Sequence, residues 1–391
     1  MDPVLNPFKP GAGQRPPILA GRDALLHDFD IVRRRITELG EGDRSWILTG
    51  LRGVGKTVLI GELERVAVNA EWLVAKVEVR KGHGLADELA TRLAASLRRA
   101  QRRFDPEKLE SLLRVFKSFT ASLKLGVINL GVEITPAAGY ADTGRLSTDL
   151  TDLFVALGEA ARGLGVGGLI LVDELQDATA EEMAAISTAI HQISQTSPML
   201  PLFFVGAGLP SLPSQLATAN SYAERLYQYR TLSVLDAANS RAALMQPVIE
   251  RDAVWDEDAL EVAMAAANGY PYFLQEVGKA VWNFADGPRF TVEDAKVGTE
   301  IAREEVNAGL YQSRWDRATP AQRELLRALA NKGHGEGVMV RELARAMKKP
   351  NASVLSVPRD ELIKKGLVYA PERGVLAFTV PGFHQFILNQ H

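Results

Sequence analysis

The chain has 391 residues, 46% of them hydrophobic and 24% charged, with a net charge of −3. Such a composition excludes a disordered or fibrous protein and points to two or three globular domains. Cysteine is absent, which rules out disulfides, thiolate metal sites and cysteine nucleophiles and favours a reducing compartment.

No apolar run approaches the roughly 20 residues that cross a bilayer. The opening Met1-Asp2-Pro3-Val4 has neither the basic nor the apolar segment of a secretory signal, so a cytoplasmic protein without a membrane partner is expected. The charge is uneven. Arg317 to His391 holds 12 Lys and Arg against 6 Asp and Glu, leaving 33 against 42 for the rest. A basic C-terminal module on an acidic body suits a polyanion partner, and ordinary surface charge explains it equally well.

In chain order, residues 1–17 are rich in Pro and Gly and read as an extended, irregular lead-in. Ile18 and Leu19 precede Gly21-Arg22-Asp23. Leu25, Leu26, Phe29, Val32 and Ile36 then follow at helical spacing, with Asp23 as the expected cap.

Next comes a short apolar strand, Trp46 to Thr49, which breaks into Gly50-Leu51-Arg52-Gly53-Val54-Gly55-Lys56-Thr57 and then a helix. Gly50, Gly53 and Gly55 allow a tight turn whose N–H groups aim inward. With the positive end of the following helix they form a concave anion site suited to a polyphosphate. Lys56 can reach the terminal phosphates, and the Thr57 hydroxyl is placed to ligate Mg²⁺.

Leu73 to Val79 reads as a second strand and Leu85 to Arg103 as a periodic helix. The arginines at its end, Arg98, Arg99, Arg102 and Arg103, fit a solvated C-terminus better than a nucleic-acid patch. Residues 104–145 look like an insertion, because 117 positions separate Lys56 from the acidic motif at Asp173. It holds an amphipathic helix around Leu109 to Phe119 and a hairpin-like stretch turning at Ile128-Asn129. A protein-partner site and a structural flap both fit it.

The second chemical motif is Gly167 to Val172 followed by Asp173-Glu174, a buried strand with two carboxylates at its end. Open α/β sheets keep their ligands at that end. Asp173 would hold Mg²⁺ and Glu174 would polarise the attacking water. Further strands at Leu202 to Gly206 and Tyr229 to Ser233, with helices between, complete a doubly wound parallel α/β sheet spanning residues 18–235.

Residues 236–285 read as a strand-free helical lid broken at Gly269-Tyr270-Pro271-Tyr272, and Asp286 to Arg317 as a linker. From Arg317 the pattern is that of a winged helix. Thr319 caps a helix from Pro320, a second helix runs from Val340 to Lys348, and a third from Ser353 to Lys365 stops at Gly366. Two strands follow around Pro371-Glu372-Arg373-Gly374. Pro358 has to kink the third helix or mark its first turn. Ser353, Ser356, Arg359, Lys364 and Arg373 are the candidate contacts to double-stranded DNA, and a protein-contact role also fits.

Taken together, LAGRD, GLRGVGKT, LILVDELQD, PLFFVGAG, AERL, the GYP of the lid and the winged helix resemble an AAA+ ATPase. The nearest groups are the origin-recognition initiator ATPases and the signal-transducing ATPases with numerous domains. The resemblance implies an ATP- or ADP-binding, Mg²⁺-dependent ATPase. It puts Leu19, Gly21 and Arg22 at the adenine and gives Asp173 and Glu174 the metal and hydrolysis roles. Arg225 sits where initiator relatives place an arginine finger, which implies a homo-oligomer. Gly269-Tyr270-Pro271 resembles the signal-transducing class, in which the proline, here Pro271, contacts the nucleotide. The strand ending Gly206-Ala207-Gly208 lacks the family's polar sensor and the lid lacks its sensing arginine, so the resemblance implies a slow switch.

Overall fold

The computed structural model describes residues 1–124, 130 and 134–390. The chain divides into two compact units. One comprises Ala24–Thr49 and Lys56–Thr231, the other Met1–Asp23, Gly50–Gly55 and Leu232–His391.

The first unit is built on five parallel strands: β1 (Trp46–Thr49), β2 (Leu73–Glu78), β3 (Gly168–Asp173), β4 (Leu202–Gly208) and β5 (Gln228–Thr231), in the order β2-β3-β4-β1-β5. Every residue of β1, β3 and β4 is buried, as expected where helices cover both faces of a parallel sheet. β4 lies between the strand that leads into the glycine turn and the strand that carries the acids. Behind β1, Trp46 meets Phe203 edge-to-face at 5.5 Å, and the Arg230 guanidinium stacks on Trp46 at 4.1 Å while pairing with Asp28 at 2.7 Å. That contact fixes the edge strand β5.

The insertion is largely helical in the described residues. The helix Pro106–Ser122 buries Leu109, Leu112, Phe116 and Phe119 in the main core. The expected hairpin turn at Ile128-Asn129 lies outside the described residues.

The second unit holds two helical groups. Residues 237–306 form four helices around Leu244, Leu260, Leu274, Val281 and Trp282. Two sequence expectations fail here. The lid is not strand-free, because Val254–Trp255 pairs in parallel with Arg289–Phe290. Nor is Asp286 to Arg317 a linker, because the helix Val292–Val306 opens on a Thr291/Asp294 capping box and buries Ala295, Gly298 and Ala302. Residues 1–17 are irregular as expected but anchored: Phe8 is 4% exposed against Gly278.

The C-terminal group has helices Pro320–Gly333, Val340–Ala346 and Ser356–Lys364 and a three-stranded sheet of Val338–Met339, Val375–Phe378 and Val368–Tyr369. Thr319 caps the first helix as expected, in a reciprocal box with Gln322. Pro358 falls in the first turn of the third helix, where no hydrogen bond is lost.

Removing the ring that anchors the N-terminal segment tests this packing. Phe8→Ala should lower unfolding stability by about 3 kcal/mol and expose the first residues to protease, measured by denaturant titration and limited proteolysis.

Candidate active site

In the first unit, Lys56 and Thr57 open the helix Lys56–Asn69, and Asp173 ends β3. The Thr57 hydroxyl donates to Asp173 Oδ2 at 2.6 Å, and the Glu174 N–H donates to Oδ1 at 2.9 Å. Asp173 is 3% exposed. Burial pushes its carboxyl up, and the two donors and nearby Lys56 pull it part of the way back.

These are hard oxygen donors. Among the described residues no cluster of three or more His, Asp or Glu could cage a metal. A hydroxyl plus one carboxylate fits Mg²⁺, which takes its other ligands from phosphate and water.

Glu174 leaves β3 with φ 51°, a left-handed conformation uncommon for a side-chain-bearing residue and typical of functional sites. Its Oε2 accepts a hydrogen bond from Gln176 Nε2, while Gln176 Oε1 accepts the Leu209 N–H at 3.1 Å. Gln176 thus ties the acid to the exit of β4. A Cβ on Gly208 would sit 2.5 Å from Gln176 Oε1. The small residues ending β4 therefore leave room for this amide. Gln176 escaped the sequence reading, where the only signal was an amide two positions after the acid.

In the second unit, Gly53 and Gly55 take φ of 86° and 95°, and a Cβ on Gly50 would lie 2.5 Å from Leu232 O. A side chain is thus blocked by space at Gly50 and strained by backbone angle at Gly53 and Gly55, as a turn built of inward N–H groups requires. Arg22 is buried and its Nη2 donates to Val54 O at 2.9 Å and Ser233 O at 3.0 Å. Its guanidinium thereby clamps the turn through backbone carbonyls. Leu19 is half-buried and Gly21 takes φ 67° facing Asn239. Pro271 is the first residue of the helix Pro271–Phe284, directly after Tyr270, whose ring edge lies 2.9 Å from a Cβ built on Gly53. On the outer side of the turn, the Arg52 N–H donates to Thr379 O at 3.1 Å.

Arg225 is exposed, in the short helix Ala223–Leu226, and lines a cleft of about 600 Å³ with Gly42, Ser45, Met199 and Tyr222. Ser45 precedes β1, so this cleft is at the amino ends of the strands, the edge opposite Thr49 and Asp173.

The proposed DNA contacts are less uniform than the sequence suggests. Ser353 is turned onto Asn351, and the Ser356 hydroxyl donates to Ser353 O at 2.7 Å. Arg359 pairs with Asp360 at 2.8 Å and Lys364 with Glu361 at 3.3 Å. Arg373 is exposed. Sequence reasoning passed over Arg341, Arg345 and Lys348, which are exposed on or just after the helix Val340–Ala346 and have no carboxylate partner among the described residues.

A glycine turn between a buried strand and a helix, a hydroxyl–carboxylate pair, and an acid at the carboxyl edge of a parallel sheet define a P-loop ATPase fold. The model of the AAA ATPase domain matches residues 19–205, and that stretch is an AAA ATPase domain. Residues 308–387 match a model described as a domain of unknown function (DUF8462). A search of curated protein sequences gives no match.

Among solved structures, the chain is similar to the Walker-type ATPase PABY2304 of Pyrococcus abyssi, at 17% identity and TM-score 0.60, covering 98% of this chain and 99% of that one. It is also similar to the RuvB Holliday junction branch migration motor of Thermotoga maritima, at 14% identity and TM-score 0.45, covering 94% and 96%. The Aeropyrum pernix Orc1 protein in complex with DNA matches at 16% identity and TM-score 0.45, covering 96% and 92%.

Gln176→Leu should slow ATP hydrolysis on the order of 10-fold or more with little change in ATP affinity, since it frees the acid without touching the phosphate loop. Steady-state rates beside equilibrium binding check this, and an equal loss in both would refute it. Asp173→Asn, by removing a buried charge, should leave the nucleotide-free protein at least as stable to heat while abolishing the effect of Mg²⁺ on nucleotide binding.

Proposed function

We propose that this protein is an ATP-binding, slowly hydrolysing switch that couples its nucleotide state to DNA binding by its C-terminal domain. The observation that carries the coupling is the hydrogen bond from the Arg52 N–H, inside the phosphate loop, to Thr379 O. Thr379 follows the last strand of the C-terminal sheet. A loop that rearranges to wrap a polyphosphate cannot leave that bond unaffected.

In this reading Gly50, Gly53, Val54 and Gly55 present N–H groups to the phosphates and Lys56 neutralises the terminal one. Leu19, Gly21, Arg22 and Pro271 border the base. Mg²⁺, held by Thr57 and Asp173, would neutralise charge on the phosphate oxygens. Glu174 accepts a proton from the attacking water, held in place by Gln176. Arg225 at the opposite strand edge fits a residue that acts on a neighbouring copy's nucleotide, in a homo-oligomer. A domain fold of three helices and a three-stranded sheet supports a winged helix. A cytoplasmic setting follows the sequence expectation, and among the described residues no helix is long and apolar enough to cross a membrane.

A second reading, a protein-binding adaptor, is favoured by the third C-terminal helix. It exposes Val357 at 72%, with Val354 at 48% just before it, while its cations are already paired with acids.

One experiment tests the nucleotide binding that both readings share, and a second separates them. Lys56→Ala should weaken ATP binding about 10- to 100-fold, the loss of a charge-assisted contact; unchanged affinity would sink the nucleotide reading. Binding to random duplex DNA, with ATP, ADP or neither, should depend on nucleotide and fall steeply with salt. The Arg341→Ala/Arg345→Ala double variant should reduce the slope of log affinity against log salt by about 2, whereas Arg359→Ala should hardly change it. No DNA binding in any state would leave the adaptor.

A further inference from the structure

The cleft that Arg225 lines belongs wholly to the first unit, at the amino ends of the strands. Its volume of about 600 Å³ is that of a small-molecule site. Ile190, Ile193 and Leu202 give it a buried apolar floor, which Met199 and Leu226 extend. The walls are fixed by contacts of their own. Met199 Sδ accepts the Gly42 N–H at 3.0 Å, and Met199 O accepts from Arg162 Nη2 at 3.1 Å. The Tyr222 ring stacks on His191 with centroids 4.5 Å apart, and its hydroxyl donates to Thr188 Oγ1 at 3.3 Å.

Two exposed guanidinium groups line this cleft, those of Arg44 and Arg225, and neither has a carboxylate partner among the described residues. Other arginines of the unit are neutralised: Arg35 holds Glu41 at 3.1 Å and Arg230 holds Asp28 at 2.7 Å. Asp43, an acid in the lining, is already engaged. Its Oδ1 accepts the Arg44 N–H at 2.7 Å, and its Oδ2 lies 3.9 Å from Arg35. The cleft therefore offers two planar cations beside an apolar floor. A carboxylate matches a guanidinium through two parallel hydrogen bonds, whereas the floor gains only from a body that sheds water on binding. An inorganic anion meets the first demand alone, and a neutral apolar molecule the second alone.

We propose that this cleft binds a small organic acid with a flat apolar body. The carboxylate is held by Arg44 and Arg225, and the body lies on the aliphatic floor beside the Tyr222 ring. A flat body suits a ring already held on one side by stacking and at its hydroxyl by a hydrogen bond, since little further ordering is needed. The site goes beyond the nucleotide reading above. Asp173 and Glu174 stand at the other end of the strands, so the occupant is an effector rather than a substrate. Arg44 has no part in phosphate binding or hydrolysis, so its substitution probes the cleft alone.

The test is calorimetric titration of the full chain with three probes: 2-naphthoate, its neutral counterpart 2-naphthamide, and acetate. The first should bind with a Kd on the order of 0.1 mM, and the other two at least about tenfold more weakly. Arg44→Ala and Arg225→Ala should each weaken 2-naphthoate about tenfold. Arg44→Lys, which keeps the charge but loses the planar fork, should fall between. Both residues are exposed, so neither substitution should shift the melting temperature. The Arg341→Ala/Arg345→Ala variant, which removes cations elsewhere, should bind 2-naphthoate as the parent does, and saturating ATP should not displace it.

Equal affinity for 2-naphthamide would reduce the cleft to an apolar surface, and equal affinity for acetate would reduce it to a diffuse basic patch. Either result overturns the proposal. So does 2-naphthoate binding that survives both arginine substitutions, that ATP competes away, or that is absent at millimolar concentration. None of these outcomes bears on nucleotide binding, which the Lys56→Ala experiment tests separately.

Discussion

A polyphosphate is held best by backbone N–H groups, and these converge only where no side chain stands between them. That requirement decides Gly50, Gly53 and Gly55, two of which adopt backbone angles costly for other residues. It also constrains what lies outside the turn. Leu232 O occupies the space beside Gly50, and the Tyr270 ring that beside Gly53. Arg22 pulls the Val54 carbonyl outward, which directs that peptide's other side away from the clamp. A larger residue is therefore excluded by packing at Gly50 and Gly53, while Gly55, with open space beside it, is held to glycine by its backbone angle.

The acidic edge follows a different logic. Placing β4 between β1 and β3 moves the acids one strand away from the glycine turn's strand, leaving a gap at the carboxyl edge that something must fill. In many sheets a polar side chain on the intervening strand would fill it. Here β4 ends in Gly206-Ala207-Gly208, and Gln176 fills the gap from the side of the acids, touching both Glu174 and the Leu209 N–H. The absent polar residue and the present amide are one arrangement, because a side chain at Gly208 would collide with Gln176. Gln176 therefore holds the Glu174 carboxylate from the side of the acids, in space that the small residues ending β4 leave open.

The phosphate loop and the Asp173-Glu174 motif are legible from the sequence because their chemistry is local: fixed spacing, a strand before, a helix or carboxyl edge after. The capping of Thr319 and the stop at Gly366 are local in the same way. What was misread has physical reasons. The helix Val292–Val306 carries Glu293, Asp294, Lys296, Glu300, Arg303, Glu304 and Glu305, so it reads as a charged linker. Its buried stripe is Ala295, Gly298, Ala302 and Val306, and the first three are too small to mark a hydrophobic period. Those small residues permit close approach, and a Cβ on Gly298 would lie 2.5 Å from Val281. Phe8 was hidden by its Pro- and Gly-rich surroundings. Gln176 was beyond reach because its backbone partner, Leu209, is 33 positions away.

Net charge proved a coarse guide for a related reason. The basic excess after Arg317 suggests a face for polyanions, yet several of its cations are engaged within the domain. Arg323 and Arg327 stack on Trp315 at 5.0 and 5.2 Å, Lys349 pairs with Glu324, and Arg359 and Lys364 pair with acids on their own helix. An ion pair at the surface is weak, but a phosphate must still displace the carboxylate before it gains the contact. Arg341 and Arg345 face no such competition among the described residues and sit at i, i+4 on one helix, where both reach the same side. Exposed arginines without an acidic partner among the described residues therefore sit on the second C-terminal helix, whereas those of the third are paired. The third instead exposes Val357 beside charges already paired with acids, so its surface is the less polar of the two.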